Sequence, residues 1–434
     1  MMYRNAMNDL VKWKENKNRK PLIIRGARQV GKTWLMKTFG EDNYDNVAYI
    51  NFEGNERMRN LFQDDLNLPR IIKGLQIEAG ITIDARTLII FDEVQEVPNA
   101  LTSLKYFQEN APEYQVIAAG SVLGVALHGG TSFPVGKVDF LDLHPLNFLE
   151  FLKASGNDQL VGLLYSKDIS LINSFKTKFI ELLKTYYFVG GMPEIVQAFV
   201  SGGEHAFVKD MQLRLLRSFE QDFSKHAPYE IVPRVRLVWN SIPAQLSREN
   251  RKFIFGLVKQ GARAREYELA LQWLIDSGLI YKVYRVSKPE IPLKAYQDVN
   301  AFKLFMVDVG LLGALSGLDM VTLLEGDRVF TEFKGALTEQ YVHQQLISEN
   351  TLEPYYWSAD KGIAEVDFII QHGGKAIPVE VKAAENLKAK SLRMYNQEFA
   401  PAGSIRTSLS DYRDEGWLIN LPLYMINTIQ DYLS

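Results

Sequence analysis

An apolar strand pattern, Pro21-Leu22-Ile23-Ile24-Arg25, runs directly into Gly26-Ala27-Arg28-Gln29-Val30-Gly31-Lys32-Thr33 and then into a helical pattern from Trp34. A complete G-x-x-x-x-G-K-[ST] loop between strand and helix commits this part of the chain to an α/β nucleotide-binding fold. The two glycines let the backbone turn and approach an anion closely, and the unpaired amides at the helix N-terminus face it. In this pattern Lys32 reaches the β- and γ-phosphates of ATP, Thr33 offers its hydroxyl to Mg²⁺, and residues 26–33 together form the cofactor cradle.

Further strands are expected at Val47–Phe52, Thr87–Phe91, Gln115–Ala119 and Lys137–Leu143. They predict a parallel sheet of about five strands flanked by helices. The third ends in Asp92-Glu93, the Walker B arrangement of an apolar strand followed by two carboxylates. Asp92 is expected to hold Mg²⁺, and Glu93 to orient or deprotonate the attacking water. Ser121, just past the fourth strand, is the candidate for sensing the γ-phosphate.

The 434 residues are enough for about three domains. With 47% hydrophobic and 23% charged residues, the composition is that of an ordinary globular chain. A net charge of −3 argues against a chain that coats nucleic acid all over, so any nucleic-acid contact must be regional. The absence of cysteine excludes disulfides, thiolate metal sites and a cysteine nucleophile. The six histidines show no pair at zinc-ligand spacing. Neither a signal-peptide core nor a membrane-length apolar run is present, and a cytoplasmic protein with no membrane contact is expected.

The segments GARQVGKT, LIIFDEVQEVP, IAAGS and LHPLNFLEFL, with YFVGGMPEIV, IPAQLSREN and FMVDVGLL further on, resemble bacterial and archaeal AAA-type ATPases that carry a C-terminal domain of unknown function. The resemblance spans nearly the whole chain. It implies an ATPase core, a helical segment, a winged-helix-like region and a terminal α/β domain. One departure stands out. Where such proteins usually have Gly-Arg before the fifth strand, this chain has Gly136-Lys137, which keeps the charge but not the planar fork of an arginine. Turnover is then slow, or an arginine comes from elsewhere, with Arg86, Arg28 or a neighbouring copy as sources. The oligomeric state stays open.

From about Ser155 to Lys225 the apolar spacing is helical, punctuated by Gly190-Gly191-Met192-Pro193, which reads as a structural corner. Three short helical patterns then lead to an alternating strand at Gly278–Val286, the order of a winged helix. Its basic residues, Arg234, Arg236, Arg248, Arg251, Lys252, Lys259, Arg263 and Arg265, suit DNA phosphates. They equally suit a solvated face or a protein-docking module.

Near the C-terminus a helix containing Glu339 leads to Tyr355–Trp357, then to Glu365–Ile370 and Ile377–Lys382 joined at Gly373-Gly374. A hairpin there sets Asp367 and Glu380 on neighbouring strands, with Lys382 on the face of Glu380. This order resembles the PD-(D/E)xK nuclease fold. The resemblance implies Asp367 and Glu380 as ligands of Mg²⁺ or Mn²⁺, Lys382 as the water-orienting group, and Glu339 as an auxiliary carboxylate.

The expected organisation is therefore an ATPase core over 1–154, a helical lid or spacer over 155–230, a winged-helix-like region over 231–325 and a nuclease-like domain over 326–434. The expected function is a Mg²⁺-dependent ATPase whose cycle drives or gates the later domains, on DNA or a protein partner. The alternatives are a metal-dependent nuclease switched by ATP, and a nucleotide-dependent interaction protein whose nuclease-like domain is inactive.

Overall fold

The computed structural model describes residues 3–120, 134–248, 252–320, 322, 331–349, 351–359, 364–385 and 389–433. The chain divides into two compact units. Arg4–His144 and Asp276–Leu279 form the first, and Pro145–Ile275 with Ile280–Ser434 the bulk of the second.

The first unit is built on five strands, β1 (Leu22–Arg25), β2 (Asn46–Asn51), β3 (Thr87–Asp92), β4 (Gln115–Ala119) and β5 (Asp139–Asp142). Their order is β2-β3-β4-β1-β5, with every neighbouring pair parallel. Every residue of β3 is buried, as a parallel strand covered by helices on both faces requires. On one side Phe52, Phe62, Phe91 and Phe107 meet edge to face within a core that also takes in Ile50, Leu75 and Leu104. Because β1 lies between β4 and β5, chain order reverses beside it. The crevice at its carboxyl end is where open α/β sheets receive ligands.

The second unit opens with helices Phe148–Ala154, Asp158–Ser166, Ile169–Ser174, Lys176–Val189, Pro193–Val200 and His205–His226. The first is fixed by a reciprocal capping box between Asn147 and Glu150. The Gly190-Gly191 corner is a close backbone crossing, where the Leu146 amide donates to the Gly191 carbonyl at 2.7 Å and the Gly191 amide donates to Asp308 Oδ2 at 2.6 Å. Asp308 is fully buried, also accepts from the Leu311 amide and Gln344, and is pushed upward in pKa chiefly by that burial.

Helices Val232–Leu246, Phe255–Val258 and Ala264–Asp276 precede β6 (Ile280–Val286) and β7 (Gln297–Met306), an antiparallel hairpin. The terminal part adds helix Thr331–Ile347, strands β8 (Tyr355–Ser358), β9 (Glu365–His372) and β10 (Lys375–Val381), helix Lys390–Phe399, and strands β11 (Ser404–Ser408), β12 (Arg413–Asp414) and β13 (Leu418–Pro422). All eight strands form one mixed sheet in the order β12-β13-β11-β10-β9-β8-β6-β7, the hairpin joining through the pair Arg285 and Tyr356. Among the described residues no helix is long and apolar enough to cross a membrane.

Candidate functional site

The loop after β1 adopts the backbone that its glycines anticipate. Gly26 has φ of 144° and Gly31 of 94°, both positive and in a region that residues with side chains rarely adopt, and helix Lys32–Asn43 starts directly after Gly31. A Cβ on Gly26 would lie 2.2 Å from the Leu143 carbonyl oxygen, so the position tolerates no side chain. Arg4 fastens the loop from outside, one guanidinium nitrogen donating to the Val30 carbonyl at 3.0 Å and the other to that of His144 at 2.6 Å.

Lys32 folds back over this loop. Its ammonium donates to the Gly26 and Ala27 carbonyls, both at 2.9 Å, and the side chain is almost wholly buried. Burial lowers its pKa to about 8, against the raising influence of Glu93 and Asp92 and alongside the lowering influence of Arg28. The Thr33 hydroxyl donates to Asp92 Oδ2 at 2.7 Å, bringing the phosphate-loop residue and the end of β3 together. Tyr49, on the neighbouring β2, donates to the same oxygen at 2.9 Å. Burial, and next the Asp92 charge, push that phenol's pKa upward. Glu93 follows in the left-handed region, with φ of 51°, and accepts from Gln95 Nε2 at 2.7 Å. Such a backbone is uncommon for a non-glycine residue and costs roughly 1–3 kcal/mol, which the surrounding fold must hold in place.

Residues 26–33, Asp92 and Glu93 thus converge at one end of the sheet. Ser121 lies outside the described residues. Arg86 does not converge: it precedes β3, at the opposite end of the strand from Asp92, and pairs with Asp45 at 2.8 Å. Six residues at about 3.3 Å each separate it from the loop end, so within this chain it is no arginine finger. Lys137 forms an ion pair with Glu109 at 2.9 Å.

Three contributors carried no motif. Tyr49 and Gln95 hold the two carboxylates, and Gly278 meets the loop itself. With φ of 72°, Gly278 packs so closely that a Cβ there would lie 2.9 Å from the Ala27 amide nitrogen and 3.3 Å from the Gly26 carbonyl carbon.

The terminal carboxylates also converge, within the second unit. Phe368 pairs with Val379 across β9 and β10, and Asp367 and Glu380 adjoin that last pair of the ladder on their two strands, close enough to interact electrostatically. Asp367 Oδ2 accepts from the Val381 amide at 2.7 Å, and Lys382 Nζ lies 2.5 Å from Glu380 Oε1. The other Glu380 oxygen is buried without a hydrogen-bond partner. Burial and the facing Asp367 raise the Glu380 pKa, while Lys382 and Lys303 oppose them. Glu339 is buried on helix Thr331–Ile347. No group of three or more histidine, cysteine, aspartate or glutamate side chains is placed to share a metal ion among the described residues.

Fold and site together define an AAA-type P-loop ATPase fold in the first unit, followed by a helical region and a small α/β part. Residues 18–152 match the family model described as an AAA domain. Residues 180–322 and 334–424 match two domains of unknown function, DUF8612 and DUF4143. No curated protein matches the chain.

Among solved structures the chain is similar to the Walker-type ATPase of Pyrococcus abyssi, at 16% identity over 73% of this chain and 96% of that one, with a TM-score of 0.44. It is also similar to the ORC2 protein of Aeropyrum pernix in its ADP form, at 12% identity over 75% and 95%, with a TM-score of 0.33. The ORC1 protein of the same organism, in complex with DNA, is 12% identical over 73% and 93%, with a TM-score of 0.28.

Proposed function

We propose that the chain is a Mg²⁺-dependent ATPase whose nucleotide cycle gates the helical and C-terminal parts. The observation that carries this reading is the 2.7 Å hydrogen bond from Thr33 to Asp92, beside the Lys32 cradle and directly before Glu93. Hydroxyl and carboxylate are the oxygen donors Mg²⁺ takes beside a nucleotide, and their closeness in this structure supports an ion held by the two. Lys32 would exchange its two carbonyl partners for phosphate oxygens. Glu93 would orient the attacking water, with Gln95 fixing its carboxylate. Ser121 keeps its role as candidate γ-phosphate sensor.

The test is phosphate release with Mg²⁺ by the wild type and by Lys32→Ala, with and without DNA. Loss of turnover in the variant is expected, and equal rates would reject the reading. A finger arginine, if one is needed, would come from Arg28 or from a neighbouring copy.

Three helices followed by the β6–β7 hairpin support a winged helix over this stretch. Arg234, Arg236, Arg248, Lys252, Lys259, Arg263 and Arg265 are all exposed, which supports regional contact with DNA. Arg251 lies outside the described residues. Binding that weakens steeply with salt and is lost on reversing these charges would bear this out.

A second reading, a Mg²⁺- or Mn²⁺-dependent nuclease with ATP as its switch, draws on the convergence of Asp367, Glu380 and Lys382, with Glu339 in support. The engaged state of these donors favours instead a terminal domain that binds a partner without cleaving. Incubation with DNA and RNA in Mn²⁺ distinguishes the two, since cleavage that disappears in Asp367→Ala would establish the nuclease.

A further inference from the structure

The carboxylates of the terminal domain already surround a cation. Lys303, on β7, is wholly buried, and its ammonium lies 2.5 Å from Glu365 Oε1 and 3.7 Å from Glu339 Oε2. These are ion pairs rather than aligned hydrogen bonds, since the Lys303 nitrogen lacks a hydrogen bond of good angle. The ring of Tyr356 lies 4.9 Å from the same nitrogen and adds a cation–π contact. The cluster thus draws on a strand of the hairpin, on β8, on β9 and on the helix carrying Glu339.

A buried lysine is seldom fully desolvated without several such partners. Glu380, which Lys303 also influences electrostatically, has the Lys382 ammonium 2.5 Å from its Oε1. Glu339 and Glu380, which would be drawn toward a divalent ion, are therefore each beside an ammonium. A second cation entering between them would meet like charge in a poorly solvated place, where repulsion is strong.

We propose that Lys303 is the resident cation of this cluster and excludes a divalent metal from it. The proposal goes beyond the ATPase reading. It is tested without nucleotide, so either can fail alone.

The experiment is titration of the full chain with Mn²⁺, followed by calorimetry and by the electron paramagnetic resonance of free Mn²⁺, in an Asp92→Asn background that removes the candidate ion position beside the phosphate loop. The Lys303-containing protein should show no Mn²⁺ site that depends on Asp367 or Glu380. Lys303→Met should gain one, roughly tenfold or more in affinity, and lose it again when Glu380→Gln is added. A Mn²⁺ site in the Lys303-containing protein that Asp367→Ala abolishes would overturn the proposal. So would a folded Lys303→Met with no gain. Should Lys303→Met not fold, the comparison with and without Asp367→Ala decides alone, because binding there contradicts exclusion and its absence supports it.

Discussion

Gly278 and Ala27, 251 positions apart, are in backbone contact so close that the glycine has no room for a methyl group. The turn around Gly278, which belongs to the first unit, therefore rests on the phosphate loop. Gly278→Ala should displace the loop and also strain a left-handed backbone. We expect nucleotide affinity to fall by about tenfold, equivalent to about 1.4 kcal/mol, with the fold retained. Fluorescent-nucleotide binding alongside circular dichroism checks this, and unchanged affinity would remove the turn from the site.

Asp92→Asn keeps the shape of the residue but removes the charge that an ion beside Thr33 needs. Nucleotide binding in EDTA should be nearly unaffected, while the additional affinity conferred by Mg²⁺ disappears. Calorimetric titration with and without Mg²⁺ separates the two contributions. A full Mg²⁺ effect in the variant would move the ion elsewhere.

Glu93→Gln should bind ATP as the wild type does and turn it over more slowly, by about 10²- to 10⁴-fold if Glu93 is the base. Single-turnover hydrolysis measures this directly. A loss below about threefold would reassign the water-orienting role.

Lys32 gives a pH signature. Its pKa in the folded chain, about 8, lies below the ordinary 10.5. Between these values the unfolded chain holds a proton that the folded chain lacks, so the stability of the nucleotide-free protein rises with pH across that window. Phosphates placed against the ammonium favour its charged form, and binding at about pH 9 should therefore take up a proton. Calorimetry in buffers of different ionisation enthalpy reads the uptake, which should vanish in Lys32→Arg because arginine stays charged. Equal uptake by both proteins would assign the proton to another group.

Gly191→Ala tests the corner before Pro193. A Cβ there would sit 2.1 Å from the Leu146 carbonyl oxygen, where only backbone movement could relieve the clash. We expect a loss of stability of about 2 kcal/mol or more, read as a lower denaturant midpoint. Wild-type stability would show that the crossing is readily remodelled.

The first unit was legible in the sequence because a parallel sheet covered on both faces leaves uninterrupted apolar runs. All five expected strands form within about two residues of their bounds, and the loop occupies its place between β1 and the next helix. The Asp367–Glu380 hairpin was legible for a similar reason, since paired glycines between alternating runs fix both the turn and the register.

What escaped were residues whose importance is purely spatial. Tyr49 reads as one more side chain on an alternating strand. Gly278 reads as an ordinary helix stop. Lys303 interrupts the run Ala301-Phe302-Lys303-Leu304-Phe305-Met306, and that single charge among apolar neighbours was the available signal of a buried ion pair. Its partners stand 36 and 62 positions away, beyond any local pattern.

The eight-stranded sheet has a consequence for how this chain can be divided or exchanged. Strands β6 and β7 belong to the segment matching one domain of unknown function, while β8 to β13 belong to the next, yet one hydrogen-bonded ladder runs through both. Expressing either segment by itself would bare the edge of β6 or β8 and separate Lys303 from Glu339 and Glu365, leaving charges stranded in a hydrophobic interior. Fusion, truncation and recombination are therefore expected to respect the pair as one heritable block, whatever boundary their separate family descriptions draw between them.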